Sequence, residues 1–364
     1  MMVEPESFCW LSGRMVEHRD GATWAEEFRH YPKLQFMVSD AGTGLLKGMR
    51  LVQEERSGLR HGLDVFHTTY EGNKVLRQEY GHAARALEKA EHGQAELDRL
   101  GRQGQSRAGT ATHVQNGWRD AEQQLDRAAA AEEAWKECRA ALELFRPDGT
   151  VNDRRQAEAT VAGILPRLSG THWGKVRRLL QRPETFAFLD RMHEQLRALT
   201  IPDEELAVLI RLEGLRRYPH LLQGATPQAA ALRGVVVVRA AQLAKADANW
   251  PAKAEQIGQV LRQTLRASSL VEGINSVARM QQARHRKMTQ GLLDLKRLYW
   301  NLRPFRTGRR RRQTPYERLG LQVPSVSWWD LLKMTPEQLR EQLSSQAKKS
   351  AQLDTEQHAY QLST

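Results

Sequence analysis

The chain has 364 residues, 40% of them hydrophobic and 27% charged, enough to bury a sizeable core and to build more than one domain. Its formal charge of +12 favours a polyanionic partner over an acidic small molecule. Two distant cysteines, Cys9 and Cys138, exclude a disulfide framework or a zinc cluster, and no run approaches the roughly 18 apolar residues of a membrane span. The opening "MMVEPESFCW" has neither a basic n-region nor an apolar h-region, so cytoplasm is the expected compartment.

In chain order, residues 8–16, "FCWLSGRMV", read as a short strand. Asp20 is placed to cap a helix over about 21–30, with Trp24 and Phe28 on one face. "LQFMVSD" follows as a buried strand ending at Ser39 and Asp40, and "AGTGLLKGMRLV" turns through two glycines into a helix. Strand, helix, strand and then an acid at the strand's C-terminal end is where α/β sheets place their sites. On these grounds alone, a single Asp after a single strand reads first as a turn or helix-cap residue.

From about 73 the chain turns almost purely helical. Residues 74–103 and 113–145 form two long helices around the break "GRQGQSRAGTATH". Trp118, Ala121, Leu125, Ala128, Trp135, Cys138, Leu142 and Phe145 mostly alternate in steps of three and four along the second. An antiparallel hairpin follows, read either as a DNA-contacting or dimerising arm or as simple packing. Shorter helices are expected at about 153–168, 174–181, 184–199, 203–217, 227–246 and 251–266, punctuated by prolines. "RGVVVVRAA" reads as a buried helix, and Trp118, Trp135, Trp173 and Trp250 as core.

The charge is concentrated near the C-terminal end. Between Arg279 and Arg312 stand twelve Lys or Arg against one acid, Asp294, so nearly all of the excess sits in that block. A helix over 269–283 puts Glu272, Asn275 and Arg279 on one face, with Leu270, Ile274, Val277 and Ala278 on an apolar side. A carboxylate beside an amide and a guanidinium can hold a divalent cation and a phosphate together. Attack on a phosphodiester by a two-metal mechanism, with ions roughly 4 Å apart, needs further carboxylates, and Asp40 is the other candidate. "RPFRTGRRRRQTPYERLG", with Trp300, Phe305 and Tyr316 interleaved, reads as a phosphate-tracking stretch or as a solvated, partly disordered basic loop. In the tail, Trp328, Trp329 and Leu332 are expected to pack onto the core or onto a second subunit, before a short helix capped at Thr335.

Four segments resemble, in order, a known family. "FMVSDAGTGLLKG" is similar to the segment around the second Asp of DDE transposases, which have an RNase H-like (retroviral integrase-like) core. "GLDVFHTTYEG" resembles the D/C-x-x-H segment of their insertion-bearing branches, here Asp64 and His67. "SSLVEGINSVARM" resembles the helix that carries their Glu and continues E-x-x-N, and "LYWNLRPFRTGRRRRQTPYERLGL" the tail of bacterial insertion-sequence transposases. The resemblance covers about 4–75 and 262–345.

It implies a mostly helical α/β fold: a first core portion at 1–72, a helical insertion at 73–267 with its hairpin at about 74–145, core helices at 268–300, and a basic loop and tail at 301–364. It also implies DNA cleavage and strand transfer at element ends with Mg²⁺ or Mn²⁺. Asp40 and Glu272 would be the catalytic metal carboxylates. Asn275, Arg279, Arg284, Arg286, Lys287, Arg303 and Arg306 would contact DNA. Asp64 and His67 would lie beside the metal site without ligating it, His67 being readable as a core histidine too. The family's first Asp lies on a strand upstream of anything in this chain. A truncated or split transposase, inactive alone, is therefore expected, with DNA, a homo-oligomeric partner and a separate N-terminal fragment as partners in the nucleoid. The alternative is a helical nucleic-acid-binding or interaction protein without catalysis.

Overall fold

A computed structural model describes residues 1–146, 148–217, 226–267, 271–276, 279, 288–308, 310–321, 328–331, 333–335, 337, 338 and 341. The chain is mostly helical and divides into two compact units. One comprises residues 19–268 and the other residues 1–18 together with 269–364, so the first is inserted in sequence between the two pieces of the second. Among the described residues no helix is long and apolar enough to cross a membrane.

The larger unit begins with α1 (Gly21–Arg29), whose N-cap Asp20 accepts from the Thr23 amide at 2.9 Å. Phe28 is fully buried and stacks on Trp24 at 5.8 Å. β3 (Phe36–Ser39) and β4 (Arg60–Leu63) flank α2 (Thr43–Glu55) and pair in parallel, Phe36 opposite Arg60 and Ser39 opposite Leu63. The strand at 36–39 is only half-buried except at Ser39, because a two-stranded sheet covers few of its side chains. The glycines of α2 serve packing as well as the turn. A Cβ at Gly44 would stand 1.9 Å from the Arg19 carbonyl oxygen and one at Gly48 2.5 Å from Trp24 Cβ, so α1 and α2 meet backbone to backbone.

α3 (Val65–Arg102) and α4 (Ala108–Ala141) form the expected hairpin, starting earlier and turning more tightly than the sequence implied. Its seam closes on Trp135, wholly buried, which donates from Nε1 to Asn73 Oδ1 at 2.8 Å. Gly72 makes room for the indole: a Cβ there would lie 2.1 Å from the ring. Ala131, Ala134, Cys138 and Ala141 supply the small neighbours that let the helices approach. Nearer the tip Ala90, Val114 and Ala121 are buried, but Leu125 is exposed and Trp118 is 39% exposed, where the spacing had placed both in the core.

α5 (Arg154–Ile164), α6 (Gly174–Leu180), α7 (Ala187–Arg197), α8 (Asp203–Arg217), α9 (Pro227–Ala246) and α10 (Trp250–Gln263) follow within a few residues of their expected bounds. Trp173, Phe186, Phe188, Leu189 and Met192 pack with Trp135 in one cluster. α9 is a helix but not a buried one: Val236 is inside, whereas Val235, Val237 and Val238 are exposed, Val237 at 61%.

In the smaller unit β1 (Met2–Val3) and β2 (Trp10–Ser12) form a short antiparallel pair, so the strand expected over 8–16 shrinks to three residues. α11 (Gln290–Leu302) supports it. Asn301, 1% exposed, accepts from the Trp10 amide at 2.8 Å and donates to the Trp10 carbonyl at 2.9 Å, replacing a strand neighbour. The two sheets are separate two-stranded pieces.

The seam gives a direct test. Ala exceeds Gly in helix propensity by about 1 kcal/mol, but overpacking a core costs about 1–3 kcal/mol. Gly72→Ala is therefore expected to lower stability in denaturant titrations followed by tryptophan fluorescence; a gain would mean that the seam yields without cost.

Candidate functional site

The candidate residues fall into two groups, one in each unit. In the larger unit, Ser39 and Leu63 end adjacent parallel strands, so Asp40 and Asp64 follow each other across one sheet edge, tied by the Asp64 amide donating to the Ser39 carbonyl at 2.9 Å. This is the C-terminal edge where α/β sheets present functional groups. Both carboxylates are engaged there. Asp40, exposed, accepts from the Gly42 amide at 3.1 Å through Oδ1, a turn of the Asx kind. Asp64 is buried and caps α3, its Oδ1 accepting from the His67 amide at 3.1 Å, with His67 Nε2 3.9 Å from its other oxygen. His67 is a half-exposed first-turn residue, not a core histidine.

The histidine that is in the core is His61, which no sequence pattern singled out. It is 6% exposed, and its Nε2 lies 2.8 Å from Ser39 Oγ, one residue before Asp40. Burial pushes its imidazole down to about 4, Glu184 opposing and Arg182 adding to the effect. His61, Gly62 and Leu63 of β4 are all buried, so no in-and-out alternation marks His61 as inward in a four-residue strand beginning "RH".

In the smaller unit, residues 271–276 are helical, as is 279. Glu272 and Arg279 are exposed and Asn275 half-buried, while Ile274 is buried against Trp10 and Leu293. The expected division into a polar and an apolar face thus holds for the described part. Arg284, Arg286 and Lys287, like Leu270, Val277 and Ala278, lie outside the described residues.

The basic segment beyond α11 is a built loop rather than a loose one. Phe305 donates to the Gln313 carbonyl at 3.0 Å, and Arg312 donates to the Phe305 carbonyl at 2.9 Å. Gly308, at φ +77°, turns the tip, and Arg312 takes the left-handed conformation at φ +68°. The following "TPYERLG" closes the loop with a capping box: Thr314 Oγ1 accepts from the Glu317 amide, Glu317 Oε2 accepts from the Thr314 amide, and Gly320 ends the turn at φ +83°. Arg310 turns inward, 4.5 Å above the Phe8 ring, and donates to the carbonyls of Glu6 and Pro5. Arg318 donates to the same Glu6 carbonyl. Arg303, Arg306, Arg311 and Arg312 are exposed, and among the described residues no carboxylate pairs with them. One Arg-rich run therefore divides into anchors and presented charges, a division the sequence could not make.

Among the described residues no three His, Cys, Asp or Glu side chains converge to hold a metal ion. Asp40 and Glu272, the two carboxylates assigned to metal by resemblance, belong to different units. Neither unit by itself gathers three such donors among its described residues. Trp329 is 57% exposed, so within this chain it is not buried in a core. Burial raises both thiols, Cys9 to about 11 and Cys138 to about 12, which removes them as nucleophiles. No protein-family model, curated protein or solved structure matches the chain.

His61 carries a pH prediction. Its folded pKa lies below the ordinary 6.5, so its stabilising effect is complete above that value and is lost as pH falls from 6.5 towards 4. The loss amounts to about 3 kcal/mol in order of magnitude. Thermal melts over pH 4–7 should show the wild type losing ground to His61→Gln in that window, and parallel curves would refute the assignment.

Proposed function

We propose that the chain acts on DNA as part of a DDE-type transposase, and that the loop at 303–313 holds nucleic-acid phosphates. The observation that carries this reading is the loop's construction. Arg310 and Arg318 fix it to the turn at residues 5–8, and Arg306, Arg311 and Arg312 are left exposed without carboxylate partners among the described residues. Guanidinium groups held on a closed loop lose less freedom on meeting a phosphate than the same groups on a free tail. Arg303, 5.7 Å from the Tyr299 ring, adds a cation at the loop's base.

In this reading β3, α2 and β4 are a piece of an RNase H-like sheet. Asp40 lies at its catalytic edge, Glu272 follows on its own helix, and Asn275 and Arg279 orient phosphates on that helix's polar face. Mg²⁺ or Mn²⁺ would supply Lewis acidity at the phosphodiester, with Asp40 and Glu272 the residues that would hold it. DNA, further copies of the chain and a separate N-terminal fragment are the partners that belong to this reading, with the nucleoid as the place of action. A DNA-binding protein without catalysis is the second reading. It is favoured by the engagement of Asp40 in a turn and of Asp64 in a helix cap.

Binding to a 30-base-pair duplex, followed by fluorescence anisotropy against salt, tests the loop. Each lost phosphate contact reduces the slope of log K against log salt by about 1. Arg306→Ala/Arg311→Ala/Arg312→Ala is expected to flatten that slope by about 2–3 and to weaken binding to all sequences alike. An unchanged slope would sink the proposal. Mg²⁺-dependent nicking then separates the two readings: if the chain contributes to catalysis, Asp40→Ala and Glu272→Ala abolish nicking and leave binding intact.

A further inference from the structure

The larger unit carries a second cationic surface, on the exposed flank of α3 near its base. Lys74, Arg77, Gln78, Gly81, His82 and Arg85 follow each other at helical spacing and line, with His172, an open concavity of about 560 Å³. Not one of the lining residues is acidic. Like charges so close on one helix face are destabilising by a few tenths of a kcal/mol each. Elsewhere α3 compensates its cations, as where Arg99 pairs with Glu96 at 2.6 Å. Two acids close to this face are engaged elsewhere: Glu71 pairs with Lys175 at 2.7 Å, and Glu79, 5% exposed, accepts from Trp173 Nε1 at 3.2 Å and lies 3.7 Å from His172 Nε2.

The concavity is held open by the core beneath it. Trp173 is wholly buried, tilted against Trp135 at 5.9 Å, and its bond to Glu79 fixes the loop that carries His172. Gly170, at φ +95°, makes the turn into that loop. His172 is thereby set against His82, the rings 5.9 Å apart and 21° from parallel. Arg85 Nη2 lies 3.1 Å from His82 Nδ1; because arginine only donates, His82 accepts there and a neutral ring keeps its proton on Nε2, as a donor. From Lys74 to Arg85 the helical rise spans about 16 Å.

We infer that this flank of α3 is a second nucleic-acid contact, in which Lys74, Arg77 and Arg85 neutralise successive phosphates and the stacked imidazoles close one wall. The inference rests on the DNA-binding reading above, but it uses different residues in a different unit. An open wall and a row of cations suit a continuous phosphate backbone, which enters from the side and leaves at both ends.

The full chain, its Lys74→Ala/Arg77→Ala/Arg85→Ala variant and the arginine-loop triple variant are titrated with the same 30-base-pair duplex and with inorganic tripolyphosphate. Circular dichroism of each confirms that the exposed substitutions leave the helices formed. The α3 variant is expected to bind the duplex about tenfold more weakly near 0.1 M salt, with a salt slope reduced by about 2–3. Lys74→Arg/Arg77→Lys/Arg85→Lys, which keeps the charge, should restore most of the affinity. Unchanged duplex binding by the α3 variant, alongside a loss in the loop variant, overturns the inference and leaves the loop reading standing. Weakened tripolyphosphate binding with the duplex unaffected overturns it in favour of a small polyphosphate ligand. Failure of the wild type to bind the duplex overturns both.

Discussion

The helical hairpin of the larger unit depends on seating one indole, that of Trp135, between two long helices. Helices can approach closely only where their facing residues are small, and α4 provides Ala131, Ala134, Cys138 and Ala141 around the ring while α3 provides Gly72 under it. The ring's one polar atom is satisfied by Asn73, so its burial leaves no donor unpaired. Trp135 in turn meets Trp173, and Trp173 fixes Glu79 and the turn that brings His172 beside α3. The cationic flank is thus an outer layer of the same packing arrangement.

The smaller unit solves a different problem. Two strands of two and three residues have too few backbone hydrogen bonds to stand alone. Asn301 supplies both a donor and an acceptor to Trp10, and Trp300 Nε1 donates to the Phe8 carbonyl at 3.0 Å. Arg310 then reaches the carbonyls of the same turn. Within the "NLRP" stretch that resembles transposase tails, Asn301 has a packing role that needs no DNA to explain it. Phosphate binding is the reading for exposed Arg303 and the exposed arginines beyond it only.

Much of the helical architecture was legible because helices announce their ends locally. Asp20, Thr226, Thr289 and Thr314 each accept from the amide three residues on, and the prolines at 183, 227 and 251 stand within two residues of helix starts. Asp64, met as half of a family motif, turned out to be such a cap as well. What stayed hidden depended on partners far away in sequence. The exposure of Val237 and Trp118 reflects which helix faces the fold covers, which no apolar run encodes. The burial of His61 comes from packing beside Arg182 and Glu184, more than a hundred residues later. The sorting of arginines into anchors and presented charges required the fold of residues 5–8.

The bond between Trp10 and Asn301 spans 291 positions of sequence. On a ribosome adding about 5–20 residues per second, the first strands wait roughly 15–60 s for the helix that completes them, while the inserted unit can fold on its own in the interval. For that time the amide and carbonyl of Trp10 face water or a chaperone. On that timing the contacts of the smaller unit close last, and the order of assembly runs from the middle of the sequence outwards.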